Sequence, residues 1–268
     1  MRRISPLLAI VVAFLGWAAP ASAQGYRLAS EDGRVVSQGD RPHLGDAADG
    51  SLPPRVVVGI ADTPTRQGYW LVTNDGAVLR YGDAPFKGGA AHLPLKAPIV
   101  GMAPSPTGQG YWLVASDGGI FSFGDARFAG STGHMRLNQP IVGMTSRAQG
   151  GYWFVAADGG IFSFGGAPFY GSTGDIRLAR PIVGMAAHPS GRGYWMVASD
   201  GGVFSFGAAR FRGSTGANPP PSGVVGMAPT ETGNGYWLVA GNGDVFAFGD
   251  ARPLGPGRAP ARFRAVSS

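Results

Sequence analysis

The sequence predicts an all-β protein, a six-bladed β-propeller of four-stranded blades closed by pairing of the C-terminal strand with the first blade. Three observations predict it. The chain repeats itself six times with a period near 42 residues. Every repeat carries glycines at the same offsets, and its apolar stretches are short and strand-like, without a helical period.

The period is read from tyrosines at 26, 69, 111, 152, 194 and 236, each preceded by Gly. Seven residues after each Tyr stands a glycine: 33, 76, 118, 159, 201 and 243. Thirteen after stands another, at 39, 82, 124, 165, 207 and 249, and nineteen after a third, at 45, 88, 130, 171, 213 and 255. Full agreement at all three offsets excludes chance and generic low complexity. The 46 glycines are therefore turn residues, although so many would otherwise signal disorder.

Each unit divides into four short strands. In the third unit the innermost is 98–102 (Pro-Ile-Val-Gly-Met) and the second is 111–114 (Tyr-Trp-Leu-Val). Asp117-Gly118 is the hairpin turn between the second and third strands, because Asp-Gly accepts the positive φ of a type I′ turn. The third strand is 120–123 and the fourth lies near 127–129. Large apolar residues occupy consecutive positions, so both faces of each sheet are expected to be covered. Trp70, Trp112, Trp153, Trp195 and Trp237 recur once per unit, as core residues lining the sheet junctions. Arg27 takes their place in the first unit.

The chain from Gln24 opens at a second strand, with no first strand before it. The tail 262–267 is expected to supply it, with Ala265-Val266 where other units have Pro-Ile, and so remove the exposed edge. An open arc or a strand exchanged between two chains is the alternative.

Residues 1–23 read as a signal peptide: Arg2 and Arg3, an apolar run over 7–17, then Ala21-Ser22-Ala23 as the cleavage site. Residues 24–268 then form one propeller domain, and the protein is expected outside the cell or on its envelope. No later stretch has 18 consecutive apolar residues, so no membrane span is expected. There is no Cys, which excludes disulfides and thiolate metal sites. The charge of +6 is diffuse, permitting attraction to acidic polymers without the basic stripe of a nucleic-acid binder.

The segments 98–102 and 110–126 (GYWLVASDGGIFSFGDA), with close variants in units two to six, resemble a repeat family of secreted bacterial proteins, mostly from high-GC actinobacteria. The resemblance covers nearly all of residues 24–268. It implies a β-propeller, often appended to cell-wall or hydrolytic domains. Some members are labelled esterases, but the family brings no catalytic motif to this chain.

The residues themselves offer little catalytic material. No Gly-x-Ser-x-Gly elbow occurs, and Gly-Ser-Thr-Gly at 130–133, 171–174 and 213–216 reads as a turn. Asp32, Asp75, Asp117, Asp158 and Asp200 fall at equivalent turns, on the order of 10 Å apart by strand spacing. A glycosidase pair needs about 5–9.5 Å, so these acids read as turn-formers, as do Asp40, Asp83, Asp125 and Asp250. The four histidines lack metal-binding spacing, and no metal or cofactor is expected.

The loops leading from one unit to the next differ most between units: 88–98, 130–140, 171–181 and 213–221. They hold the candidate ligand-binding residues His92, Lys96, His134, Arg136, Arg177 and Arg180. Variation on a constant frame is how loops carry binding, and neutral drift in solvent is the competing reading. The 103–110 type of loop, on the opposite face, has fewer polar hooks. The expected function is a secreted, monomeric binding scaffold for a glycan, a cell-wall polymer or an envelope protein. The alternative is a secreted hydrolase or lyase with its site at the channel mouth.

Overall fold

The computed structural model describes residues 24–47, 55–255 and 262–267. The expected signal peptide, 1–23, lies outside them. The described residues hold no helix and six antiparallel three-stranded sheets. The first contains β1 (Gly25–Ser30) and β2 (Val35–Gly39). The second is β3 (Val57–Asp62), β4 (Gly68–Thr73) and β5 (Val78–Gly82); the third is β6 (Ile99–Pro104), β7 (Gly110–Ala115) and β8 (Ile120–Gly124). The fourth is β9 (Ile141–Ser146), β10 (Tyr152–Ala156) and β11 (Ile161–Phe164). The fifth is β12 (Ile182–Ala187), β13 (Gly193–Ala198) and β14 (Val203–Gly207); the sixth is β15 (Val224–Pro229), β16 (Gly235–Ala240) and β17 (Val245–Gly249). A last strand, β18 (Phe263–Ser267), joins the first sheet in the order β18-β1-β2.

The middle strands are buried along their whole length. Their side chains alternate between two junctions, since successive Cβ atoms leave opposite faces of a strand. Trp70 and Val72 pack with Ile99, Met102, Tyr111 and Leu113 of the next sheet. Trp112 and Val114 pack in turn with Ile141, Met144, Tyr152 and Phe154. Sheets two to six thus each show a Trp face to the next sheet and a Tyr face to the one before, which explains why the two aromatics are adjacent in sequence; in the first sheet Arg27 replaces the Trp. The Trp–Tyr ring centroids lie between 5.3 and 5.7 Å apart and tilted, a favourable aromatic geometry.

The expected fourth strand is met by a segment that belongs to no sheet. Side chains hold its backbone instead of a ladder. Trp112 donates Nε1–H to the Arg127 carbonyl at 3.0 Å. The Tyr152 hydroxyl of the next sheet accepts the Ala129 N–H at 3.0 Å and donates to the Gly130 carbonyl at 2.7 Å. Trp195 with Arg210, Tyr194 with Gly171 and Tyr236 with Gly213 repeat the clamp. These bonds satisfy backbone groups that a fourth strand would otherwise pair. The glycine nineteen residues after each Tyr serves this contact. At Gly130 φ is 138°, and a Cβ there would overlap the ring of Phe164.

The tail pairs with β1, but in a register three residues from the expected one. Phe263 stands opposite Ser30 and Val266 opposite Leu28. Phe263, rather than Val266, therefore fills the place that Ile99 has in the third sheet. Apolar bulk decides the register: Phe263 is buried among Tyr26, Leu28 and Trp237. An ungapped alignment of so short a tail does not detect a three-residue shift.

Candidate functional site

The inner strands run from one face to the other. The hairpin face carries the Asp-Gly turns and the variable loops; the opposite face carries the short loops that follow each inner strand. The turn acids bind their own backbone. Asp117, Asp158 and Asp200 each accept the N–H two residues on, at 2.9 Å. Asp125 accepts the hydroxyl of Ser105 at 2.7 Å and that of Thr107 at 2.5 Å. These bonds, with Thr107 first, hold its carboxyl below the usual carboxylate range.

All six predicted binding residues are exposed on the hairpin-face loops. Among the described residues none of their side chains has a hydrogen bond or an ion pair. Arg136 borders a groove of about 250 Å³ with Met135, Leu137 and Phe162. Arg177 and Arg180 border an adjoining groove of about 350 Å³ with Ile176 and Leu178. Gln139 and Asp158 line both, so the three arginines flank one continuous furrow across neighbouring blades. His92, Lys96 and His134 line neither groove, and no hydrogen bond joins the two histidines. Behind the loops an axial cavity of about 280 Å³ is lined from every inner strand, by Val58, Val100, Val142, Val183, Val225 and Arg264, with Ile182 and Val224 beside them. Arg264 holds the Val position of the first blade and pairs with Glu31.

The opposite face carries what the sequence reading missed. A cavity of about 430 Å³ lies on the axis there, over Met102, Met144, Met185 and Met227. Asp62, Arg66 and Arg147 line its rim. Around Asp62 the repeat breaks down. Arg27 stands at the Trp position, and Arg41 stands where other units have Ala84, Ala126, Ala167, Ala209 and Ala251. Both arginines are buried. Arg27 imitates the tryptophan it replaces, donating to the carbonyl fifteen residues on, Pro42, at 3.1 Å. Its guanidinium also lies 4.8 Å from the centre of the Tyr69 ring, a cation–π contact.

Arg27 Nη1 meets Asp62 Oδ1 at 2.7 Å, and Arg41 Nε meets Asp62 Oδ2 at 3.3 Å. The angles are too bent for hydrogen bonds, so these are ionic contacts. Arg41 also reaches Asp40 at 2.6 Å, and Arg66 reaches Glu231 at 2.5 Å. Arg66 replaces the glycine that stands three residues before the repeat Tyr at 108, 191 and 233. Its φ of 63° is the one positive value at a non-glycine residue among the described residues. Such a backbone costs on the order of 1–3 kcal/mol. Its carbonyl accepts Arg27 Nη2 at 3.0 Å, which ties the strained turn to the buried cluster. The signal was present in the sequence as departures from the repeat at 27, 41 and 66.

No protein-family model matches the chain, and no curated protein matches it. Among solved structures, a chain from the crystal structure of a nidogen/laminin complex is similar over 91% of this chain and 97% of its own, with a TM-score of 0.57. The identity is 9%, so the likeness speaks for the fold alone. With six sheets set like blades and a propeller as structural neighbour, this chain is an all-β propeller.

Proposed function

We propose that this chain is an exported binding scaffold whose hairpin face recognises an acidic partner in the cell envelope. The carrying observation is the furrow flanked by Arg136, Arg177 and Arg180, whose side chains have no described intramolecular partner. A guanidinium offers five N–H donors in a fork that matches carboxylates and phosphates. The furrow's apolar lining, Met135, Ile176, Leu137 and Leu178, adds a surface that water covers poorly. A protein is favoured over a glycan or a cell-wall polymer, because the similar propeller was solved within a nidogen/laminin complex.

The reading includes cleavage after Ala23, a monomer, and a ring completed by β18. Its test is the binding of the purified propeller to envelope fractions, measured at several salt concentrations. The Arg136→Ala/Arg177→Ala/Arg180→Ala variant is expected to bind about tenfold more weakly or worse, with a shallower salt dependence. Unchanged binding by this variant, or no binding by the parent, defeats the proposal.

A further inference from the structure

We infer that the axial cavity opposite the hairpin face is a second binding site, for a carboxylate carried on an apolar group. This site is independent of the hairpin-face furrow. It has what a ligand pocket needs: an apolar floor and a few polar groups converging above it. The floor is four methionines from four consecutive blades, each nine-tenths or more buried, with Ile60 and Val266 from the other two. Flexible thioethers adapt to the shape of an apolar guest.

The charges at the rim select the sign of the guest. Asp62 is saturated by Arg27 and Arg41, and Arg66 is engaged by Glu231. Arg147 differs. Its Nε donates to the Gly191 carbonyl at 3.0 Å, which aims the guanidinium without neutralising it. Among the described residues the three rim charges, Asp62, Arg66 and Arg147, therefore leave one positive charge to be met.

The strained backbone of Arg66 on the same rim fits a site held in place for binding.

The site takes either a free small acid or the C-terminal carboxylate of a peptide ending in an apolar residue. The test uses protein labelled with [methyl-13C]methionine and four probes: 4-phenylbutanoate, 4-phenylbutanamide, a peptide ending in Leu, and the same peptide amidated. Binding is expected to shift the methyl signals of Met102, Met144, Met185 and Met227 and to leave Met135, exposed on the hairpin face, in place. The acid is expected to bind at least tenfold more tightly than the amide, and Arg147→Gln to remove that preference. A free acid that binds as tightly as the peptide identifies a small-molecule site; a peptide that binds at least tenfold more tightly identifies a chain-end site. Equal binding of acid and amide, a shift at Met135 alone, an Arg147→Gln variant that keeps the preference, or no shift with any probe overturns the inference. Arg147→Lys serves as a second variant, expected to keep part of the preference because it keeps the charge. The hairpin-face triple alanine variant is expected to bind the acid unchanged, which separates this site from the furrow.

Discussion

At the residue scale, the informative positions are those where one blade breaks the rule the others keep. A buried ion cluster stabilises little relative to an apolar replacement, but leaving one of its charges alone costs about 3–5 kcal/mol. Asp62→Ala is therefore expected to lower unfolding free energy by about that amount, read by denaturant titration. Restoring the repeat with Arg27→Trp, Arg41→Ala and Asp62→Pro together is expected to be neutral or stabilising by about 1–4 kcal/mol. A triple variant as unstable as Asp62→Ala would show that the cluster packs in a way the other junctions do not. Trp153 makes the opposite case. It is fully buried between two blades, and Trp153→Ala is expected to cost roughly 3–5 kcal/mol by the same titration. The burial of the tryptophans was legible in the sequence, because they recur in register with the turn glycines. Arg27 was legible only as an exception. Its ion-pair partner Asp62 is thirty-five residues away, and Glu231 reaches the cluster from the sixth blade. No periodicity announces such a meeting.

At the element scale, the hairpin turns and three of the four expected strands could be read from Gly, Asp and apolar runs. The fourth could not, because side chains from two different strands take the hydrogen bonds a ladder would have taken. Tyr152 serves two backbone groups across a blade junction. Tyr152→Phe is accordingly expected to cost about 1–3 kcal/mol while keeping the ring packed, as an unfolding curve would register. A loss below about half a kilocalorie would mean that water replaces the hydroxyl without penalty. The exposed loops were legible as variable segments, and Arg136, Arg177 and Arg180 do share one furrow. His92 and Lys96 do not join them, because their loop, 88–98, leads into the third blade, and His134 shares the loop of Arg136 but lines neither groove. Chain order alone cannot tell which loop residues lean toward a neighbouring blade.

At the scale of the whole molecule, six equivalent tyrosines tie blade to blade, so their ionisation reports on the ring. Burial raises the phenol pKa of Tyr111, Tyr152, Tyr194 and Tyr236, and pushes Tyr26 and Tyr69 up to about 12. A folded-state pKa above the unfolded value of 10 means that folding favours the protonated phenol. That stability is fully present below pH 10 and is lost as pH rises through the folded values toward about 12. Ultraviolet titration is expected to show most of the eight tyrosines ionising above pH 10, together with loss of the fold. Ionisation of all eight near pH 10 with the fold intact would contradict the clamped hydroxyls. The two proposed sites lie at opposite ends of one axis, and both depend on the blades holding a single arrangement. That arrangement rests on β18, the last strand of the chain, lying beside β1 as its inner neighbour. Native-state amide hydrogen exchange tests this most directly. The account predicts that the hydrogen-bonded amides of β18 are protected to the same opening free energy as those of β6, β9 and β12. Rapid exchange of β18 while the other inner strands stay protected would contradict it.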